Sequence, residues 1–388
     1  MMCIPNKFHK HFFRNNSPLL IKGEGLGVRF LGGFSFVYLL VVLSDNINIL
    51  SKLTARRTLN AGKVLAGYYY SKWTKTPHQW GSPISIAIEP TTSCNLRCPE
   101  CPSGLRSFTR DTGMLDENFF RKTIDELHKE IFYLTFYFQG EPYLNPKFLQ
   151  MVNYASEKNI YTATSTNAHY LDEANAKATV ESGLDRLIIS IDGTTQETYE
   201  SYRIGGDLQK VIEGTKNILK WKKKLNSKTP HVIFQFLVVR HNEHQIEEVK
   251  KLGNELGVDE IKFKTAQVYD YENGNDLIPL NEKYTRYEKD NNGKYKLKNS
   301  SSLSLGGGTE GGASCWKMWN SCVITWDGKI VPCCFDKDAK HQLGNLNEKT
   351  FKEIWFNGSY TKFRSALLKS RKEIDICKNC SEGTKVWI

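Results

Sequence analysis

The chain has 388 residues, of which 40% are hydrophobic and 24% are charged, as in ordinary soluble globular proteins. This composition excludes an intrinsically disordered chain, and the length predicts a barrel-sized domain with a smaller second one. The net charge of +11 permits an anionic partner without naming one. The sequence lacks the interleaved basic and aromatic motif of RNA-recognition domains, so nucleic acid is not an expected partner.

Nine of the ten cysteines fall in two groups, within 94–101 and 315–380, and only Cys3 lies outside them. Grouped thiols in a long chain indicate metal ligation in a reducing compartment and argue against a secreted disulfide framework. We therefore expect a cytoplasmic protein.

Residues 1–80 form an N-terminal extension in front of the main domain. We expect residues 1–45 to be poorly ordered or loosely attached, and the helical pattern over 50–80 to pack on the main domain. The apolar run from Phe30 to Leu43 is shorter than the roughly 20 residues that span a bilayer, so a membrane partner is not expected.

After Gly81, strand-like runs alternate with helix-like runs. Strands are predicted at 84–90, 132–138, 160–166, 186–191, 231–239 and 260–267. Helices are predicted at 117–129, 146–158, 171–182, 207–226 and 244–256, with Asp116 and Asp172 as N-caps. This alternation predicts an α/β fold with a parallel sheet, a partial (β/α)6 TIM-like barrel over residues 81–290.

In a barrel of this kind, chemistry gathers at the carboxyl ends of the strands. The loop after the first strand carries Cys94, Cys98 and Cys101 with the spacing C-x3-C-x2-C. Thiolates select zinc, copper(I) and iron–sulfur clusters, and three thiols leave one iron of a four-iron cluster open.

Polar residues also stand at the ends of the next four strands. They are Gly140-Glu141-Pro142 after the second strand, Asn167 after the third, Ser190 and Asp192 on the fourth, and Arg240 after the fifth. Each alone is consistent with a turn or a helix cap, but together they point to a binding site.

Residues 291–388 are predicted as a Gly/Ser-rich linker followed by a small cysteine-rich domain. Residues 323–331 read as a hairpin with an Asp327-Gly328 turn, which brings Cys315 and Cys333 to one side of it. Residues 343–345 read as a strand end, and 351–368 as an amphipathic helix that returns Cys377 and Cys380 to the hairpin.

The C-x3-C-x2-C loop and the motifs after it resemble the radical S-adenosylmethionine (SAM) enzymes. The resemblance implies that Cys94, Cys98 and Cys101 hold a [4Fe–4S] cluster that binds SAM, whose reductive cleavage gives a 5′-deoxyadenosyl radical that takes hydrogen from a substrate. It further implies SAM contacts at Gly140, Glu141, Pro142, Asn167, Ser190, Asp192 and Arg240, and no catalytic residue beyond the cluster ligands. The family often has another glycine where Gln139 stands.

The C-terminal cysteines resemble SPASM/twitch auxiliary cluster domains, with spacings closest to the single-cluster twitch form. The resemblance implies one auxiliary [4Fe–4S] cluster held by Cys315, Cys333, Cys377 and Cys380, with Cys322 or Cys334 as a substitute ligand. A zinc site with the same four thiols is the main rival.

Taken together, these features predict a net oxidation or maturation of a peptide or sugar-like substrate, with flavodoxin or ferredoxin as electron donor. Two other classes stay open: an electron carrier with two clusters, and a zinc-stabilised binding protein.

Overall fold

The computed structural model describes residues 43–298, 315–383 and 386. The expectation of poor order over residues 1–45 therefore falls almost wholly outside the described residues. The α-helices of the described residues are α1 (43–51), α2 (Ala55–Thr74), α3 (Pro102–Leu105), α4 (Glu117–Leu127), α5 (Phe148–Glu157), α6 (Glu173–Glu181), α7 (Gln196–Tyr202), α8 (Leu208–Lys224), α9 (Ile246–Leu256), α10 (Lys317–Asn320), α11 (Phe351–Trp355), α12 (Gly358–Lys369) and α13 (Asp375–Lys378).

Nine of the described strands form one sheet in the order β11-β10-β9-β1-β2-β3-β4-β5-β6, and β7 pairs with β8 separately. The strands are β1 (Ser85–Ile88), β2 (Tyr133–Phe136), β3 (Tyr161–Thr166), β4 (Arg186–Ser190), β5 (His231–Val238), β6 (Glu260–Thr265), β7 (Tyr287–Lys289), β8 (Tyr295–Leu297), β9 (Ser321–Ile324), β10 (Lys329–Val331) and β11 (Gly344–Asn345).

Strands β1 to β6 pair consecutively and in parallel, with helices in the connections, which confirms the predicted partial barrel. Both predicted caps are also present. The Asp116 carboxylate accepts a hydrogen bond from Phe119 N at 2.8 Å, and the Asp172 carboxylate accepts one from Asn175 N at 2.8 Å. These caps satisfy backbone donors that the first helical turn leaves unpaired.

The predicted C-terminal hairpin is confirmed as β9 and β10, but it is part of the barrel sheet. Strand β9 runs parallel to β1, with Ser321 opposite Ser85, and β10 is antiparallel to β9. The single helix predicted over 351–368 is wrong in one respect, because the chain breaks it into α11 and α12. Asn357 caps the second of these by accepting a hydrogen bond from Tyr360 N.

Helices α1 and α2 lie across the amino ends of the barrel strands. Arg57 of α2 donates hydrogen bonds to the carbonyl oxygens of His128 and Asn159, which stand just before β2 and β3. Asp45 of α1 forms a buried ion pair with Arg186, the first residue of β4. These contacts close one end of the barrel and leave the carboxyl ends of the strands for the site.

Within residues 43–298 and 315–383, no helix is both long and apolar enough to cross a bilayer.

Candidate functional site

The three-thiol loop lies directly beyond β1. Cys98 and Cys101 are 5% and 9% exposed, and Cys94 is half-buried. Gly104 of α3 packs on this loop so closely that a Cβ there would lie 2.6 Å from Cys98 N. The loop conformation is therefore fixed by backbone packing, with its thiols turned inward.

Burial raises the pKa of Cys94 to about 12 and also raises the pKa of Cys98, against the opposing charge of Arg203. Cys101 differs, because nearby positive charge and the backbone N–H groups of Gly104 and Ser103 outweigh its burial and lower its pKa to about 7. Because a metal or cluster takes cysteine as thiolate, loading this loop would release protons.

A cavity opens at the carboxyl ends of the barrel strands, beside the thiol loop. Each of β3 to β6, together with the turn after β2 and the thiol loop, contributes to its wall. Its lining includes Cys94, Cys98, Cys101, Gly140, Glu141, Ser165, Asn167, Ser190, Arg203, Gln235, Leu237, Lys264 and Lys337. The structure thus brings most of the residues predicted from separate strand ends into one cavity.

Gly140 joins the turn after β2 to the thiol loop. Its φ of +72° lies in the left-handed region, and a Cβ would overlap the carbonyl oxygen of Thr91. Gly140 N donates to Ser103 Oγ at 2.9 Å, and Glu141 N donates to Ser93 O at 2.7 Å. Only glycine fits here, which gives a physical reason for this residue of the predicted motif.

The Glu141 side chain is fully buried and ties β2 to β3. Its carboxylate accepts hydrogen bonds from Asn167 N at 2.8 Å and Thr166 Oγ1 at 2.7 Å. Burial raises the pKa of Glu141 to about 7 despite these donors. Pro142 is also buried, opens a short 3-10 turn and is not among the residues lining the cavity. Glu141 therefore shapes the site mainly through the backbone that it holds.

Asn167 and Ser190 line the cavity, whereas Asp192 lies behind it. Asn167 Nδ2 donates to Asn95 Oδ1 at 2.8 Å and stands 3.9 Å from Cys94 Sγ. Asp192 is buried and accepts a hydrogen bond from Leu237 N at 2.7 Å.

Arg203 is the residue that the sequence analysis missed. It follows α7, its Nε donates to Asp192 Oδ2 at 2.6 Å, and its Nη1 lies 3.7 Å from Cys98 Sγ. The signal that could have found it is Asp192 itself, since a buried carboxylate needs a cation.

Arg240, which was predicted as a SAM contact, does not line the cavity. Its Nε donates to Ile278 O at 3.1 Å, and its Nη1 lies 3.4 Å from Asp276 on the surface. The guanidinium that reaches the cavity is that of Arg203.

One buried polar atom beside the thiol loop lacks a partner among the described residues. Gln139 Oε1 lies 3.5 Å from Ser103 Oγ, but its Nε2 has no acceptor. Hydrogen bonds to cluster and thiolate sulfurs are a normal part of iron–sulfur sites. The orphaned donor and three inward thiols therefore fit a cluster with sulfur acceptors.

The four predicted auxiliary thiols converge behind β9 and β10. Burial raises the pKa of Cys333, and the charges of Cys380, Cys315 and Cys377 raise it further. Burial would lower the pKa of Arg371, but the same four thiols raise it. Among the described residues, no three His, Cys, Asp or Glu side chains are arranged to hold a single metal ion.

The two possible substitute ligands lie elsewhere on the C-terminal segment. Cys322 is buried within β9 at 2% exposure. Cys334 follows Cys333 and, with it, lines a second cavity between β1, β2 and β9. Cys322 is not among the thiols whose charges act on Cys333.

The C-terminal segment contacts a buried ion pair between residues that lie on either side of the thiol loop. Arg110 donates to the Glu89 carboxylate at 2.5 and 2.9 Å, and Trp326 N of the hairpin turn donates to the same carboxylate at 3.2 Å. Arg110 Nε also donates to Lys337 O at 2.9 Å. This network brings Lys337 to the cavity wall.

Comparison with known proteins finds two family domains in the chain. Residues 88–259 match the radical SAM superfamily model, and residues 315–381 match the SPASM iron–sulfur cluster-binding domain model. The chain belongs to the radical SAM enzymes that carry a SPASM domain. The cofactors of this pair of domains are a [4Fe–4S] cluster, SAM and auxiliary iron–sulfur.

Two related proteins align with different fractions of this radical SAM chain. The tungsten-containing aldehyde ferredoxin oxidoreductase cofactor-modifying protein of Pyrococcus furiosus is 27% identical over 321 residues, 76% of this chain and 86% of the relative. The mycofactocin maturase MftC of Mycobacterium ulcerans is 28% identical over 181 residues, 46% of this chain and 47% of the relative. The chain therefore spans about half the length of MftC.

Two solved structures share the fold of this radical SAM chain. SuiB of Streptococcus suis, bound to precursor peptide SuiA, has a TM-score of 0.56 and 14% identity, with 80% of this chain and 74% of SuiB covered. The protein anSMEcpe with bound SAM has a TM-score of 0.53 and 20% identity, with 77% and 85% covered.

Proposed function

We propose that the chain is a radical SAM oxidoreductase or maturase that acts on a peptide. The observation that carries this proposal is the meeting of three inward thiols, the Gly140 turn and the Arg203 guanidinium at one cavity. A two-cluster electron carrier would not need the last two.

The proposal assigns Cys94, Cys98 and Cys101 to the SAM-binding cluster, and Cys315, Cys333, Cys377 and Cys380 to the auxiliary cluster. When bound, the first cluster and SAM supply the radical that takes hydrogen from the substrate. The match to an iron–sulfur domain model favours iron over zinc at the four C-terminal thiols.

The chain's own residues would bind and orient SAM. The backbone of Gly140 and Glu141 offers carbonyl acceptors to the SAM ammonium group, and Asn167 and Ser190 offer polar contacts along the wall. Arg203, fixed by Asp192, suits the SAM carboxylate because a guanidinium can bind both of its oxygens at once. Asp192 then acts through Arg203 as a positioning residue.

A peptide is favoured over a sugar-like substrate by the relatives. The name of MftC is that of a maturase, and SuiB was solved with a precursor peptide. An auxiliary cluster with four protein thiols has no open iron, so it suits electron transfer from substrate better than substrate binding. This division favours a net oxidation of the substrate, and we expect flavodoxin or ferredoxin as the reductant of the SAM cluster.

Formation of 5′-deoxyadenosine tests the proposal. Anaerobic protein with dithionite and SAM should yield it, and Cys98→Ala should abolish it. Cys322→Ala removes a buried thiol outside both proposed sets and is the matched control, which should retain it. Equal loss in both variants, or no product from the unaltered chain, would refute the proposed role of the loop.

Substrate oxidation separates the roles of the two clusters. Cys377→Ala should still cleave SAM but fail to deliver oxidised product. If Cys377→Ala oxidises its substrate normally, the auxiliary thiols are structural.

A further inference from the structure

The two N-terminal helices expose an unusual share of the apolar surface. Among the described residues, 15 large hydrophobic side chains are exposed, and eight of them lie within residues 43–80. We call this group the outer face. It consists of Leu43, Ile47 and Leu50 on α1, Leu59, Tyr69, Tyr70 and Trp73 on α2, and Trp80. Single exposed apolar residues are normal, but a contiguous group marks an interaction surface.

The outer face points away from the barrel. The opposite side of α1 buries Asp45 and Ile49, and the opposite side of α2 buries Arg57, Val64 and Tyr68. These buried sides pack on the amino ends of the strands. The outer face therefore lies at the far end of the barrel from the cavity.

Its aromatic side chains are fixed in place. Tyr70 contacts Trp73 and Trp80, with ring centroids 5.8 and 5.2 Å apart. Segment 78–80 is held against α2, because Ser71 Oγ accepts a hydrogen bond from His78 N at 2.7 Å. Trp73 is nonetheless 79% exposed. Trp80, together with Leu59 and Lys63, lines an open cleft on the same face.

The segment that carries the outer face is mainly positive, because its single carboxylate, Asp45, is buried in an ion pair with Arg186. No Asp or Glu occurs from Asn46 to Ile88, while Lys63, Lys72 and Lys75 are all exposed. Two copies meeting through this face would bring lysines against lysines. Residues 1–42 carry five Lys or Arg and a single acidic residue, Glu24, so their charge has the same sign. Charge complementarity therefore calls for an anionic surface.

We propose that the outer face docks on an anionic lipid bilayer and lies in its interface without crossing it. Trp and Tyr prefer the headgroup region, where the ring is buried and its polar atom stays hydrated. Lysines beside them pair with lipid phosphates, the second of the two signals that stable peripheral binding needs. The sequence expectation of no membrane partner rested on the length of a spanning segment, which does not bear on interfacial contact.

Docked in this way, the barrel has its cavity directed away from the lipid. A soluble peptide and a soluble electron donor then reach the site freely while the enzyme stays at the membrane. The docking does not depend on the proposed chemistry.

Vesicle co-sedimentation of the full chain tests the docking. We expect binding to vesicles of phosphatidylcholine with about one third phosphatidylglycerol, weak binding to phosphatidylcholine alone, and release by salt. The double variant Trp73→Ser/Trp80→Ser should lower the partition coefficient by roughly tenfold or more, since two aromatic side chains leave the interface. Lys72→Glu/Lys75→Glu should lower it on anionic vesicles only.

Two matched controls keep the test specific. Leu280 is 72% exposed and Lys251 has a 79% exposed side chain, and both lie outside the outer face. Leu280→Ser and Lys251→Glu should bind vesicles like the unaltered chain, and all variants should melt at the same temperature.

Binding that the outer-face variants do not change would overturn the proposal, as would no binding at all. A dimer in light scattering that Trp73→Ser dissociates, without vesicle binding, would assign the face to a second copy instead.

Discussion

Arg203 Nη1 lies 3.7 Å from Cys98 Sγ, while Arg203 Nε donates a hydrogen bond to Asp192 Oδ2 at 2.6 Å. A cation held against a cluster thiolate favours the reduced, more negative state of the cluster. Arg203→Gln should therefore lower the midpoint potential of the SAM-binding cluster by something on the order of tens of millivolts, and weaken SAM binding.

The control for Arg203 is Arg240→Gln, which removes the guanidinium that lies at the Asp276 surface. Redox titration followed by electron paramagnetic resonance should show an unshifted potential for Arg240→Gln. Arg203→Lys should recover most of the shift, because it keeps the charge. A larger effect of Arg240→Gln would restore the sequence-based assignment.

Gly140→Ala should abolish SAM binding. The added Cβ meets the Thr91 carbonyl at a φ of +72°, so the turn after β2 must move away from the thiol loop. Gly293 has a φ of +76° but no described atom within 4 Å of its added Cβ. Gly293→Ala therefore carries the backbone strain without the clash. Equilibrium dialysis with SAM should separate the two, and equal affinities would show that the turn tolerates the clash.

Arg110→Gln should destabilise the chain far more than Arg56→Gln. The Arg110 side chain is 4% exposed and its loss leaves Glu89 buried without its cation, at a cost of about 3 kcal/mol. The Arg56 side chain is 63% exposed, and its pair with Glu130 contributes less than about 1 kcal/mol. Calorimetry should show a melting temperature several degrees lower for the first variant only. Similar decreases in melting temperature for the two variants would mean that the Glu89–Arg110 pair contributes no more to stability than a surface ion pair.

Glu260 lies at the closed end of the barrel, and we expect its contribution to the free energy of unfolding to be lost in acid. Burial raises its pKa, but the His231 hydrogen bond and Lys262 outweigh burial and bring it to about 2. A carboxyl whose folded pKa lies below its usual 4.5 stabilises the fold above that pH and loses the contribution as pH falls toward 2. Glu260→Gln should destabilise the fold by about 2 kcal/mol at pH 7, the usual size for a hydrogen bond between charged groups, because it removes the ion pair with Lys262. Urea unfolding should show this difference narrowing below about pH 5, and a constant difference would refute the shift.

The barrel could be predicted from sequence because strand and helix periods differ, and because apolar runs such as Ile84 to Ile88 are bounded by turn residues. Asp116 and Asp172 marked helix starts for the same local reason. The pairing of β9 with β1 joins residues more than 200 positions apart, here Ser85 and Ser321. No local pattern encodes that pairing, so the C-terminal hairpin was predicted correctly but not its place in the barrel sheet.

The residues of the candidate site also fall into two groups, those that a local motif reveals and those that only the folded structure reveals. The thiol loop and Gly140 carry motifs with fixed spacing, so sequence could find them. Arg203 and Arg110 pair with carboxylates 11 and 21 positions away, at no fixed spacing that a motif could capture. Buried Glu89 and Asp192 do imply cations, but only folding shows which arginine serves each one.

The central claim is that the cluster held by Cys94, Cys98 and Cys101 leaves an iron open for SAM. Electron–nuclear double resonance on the reduced protein with SAM carrying a ¹⁵N-labelled amino group tests it most directly. The account predicts a nitrogen coupling in the unaltered chain and in Cys377→Ala, and none in Cys98→Ala. A coupling that is absent from the unaltered chain, or that survives in Cys98→Ala and vanishes in Cys377→Ala, would contradict it.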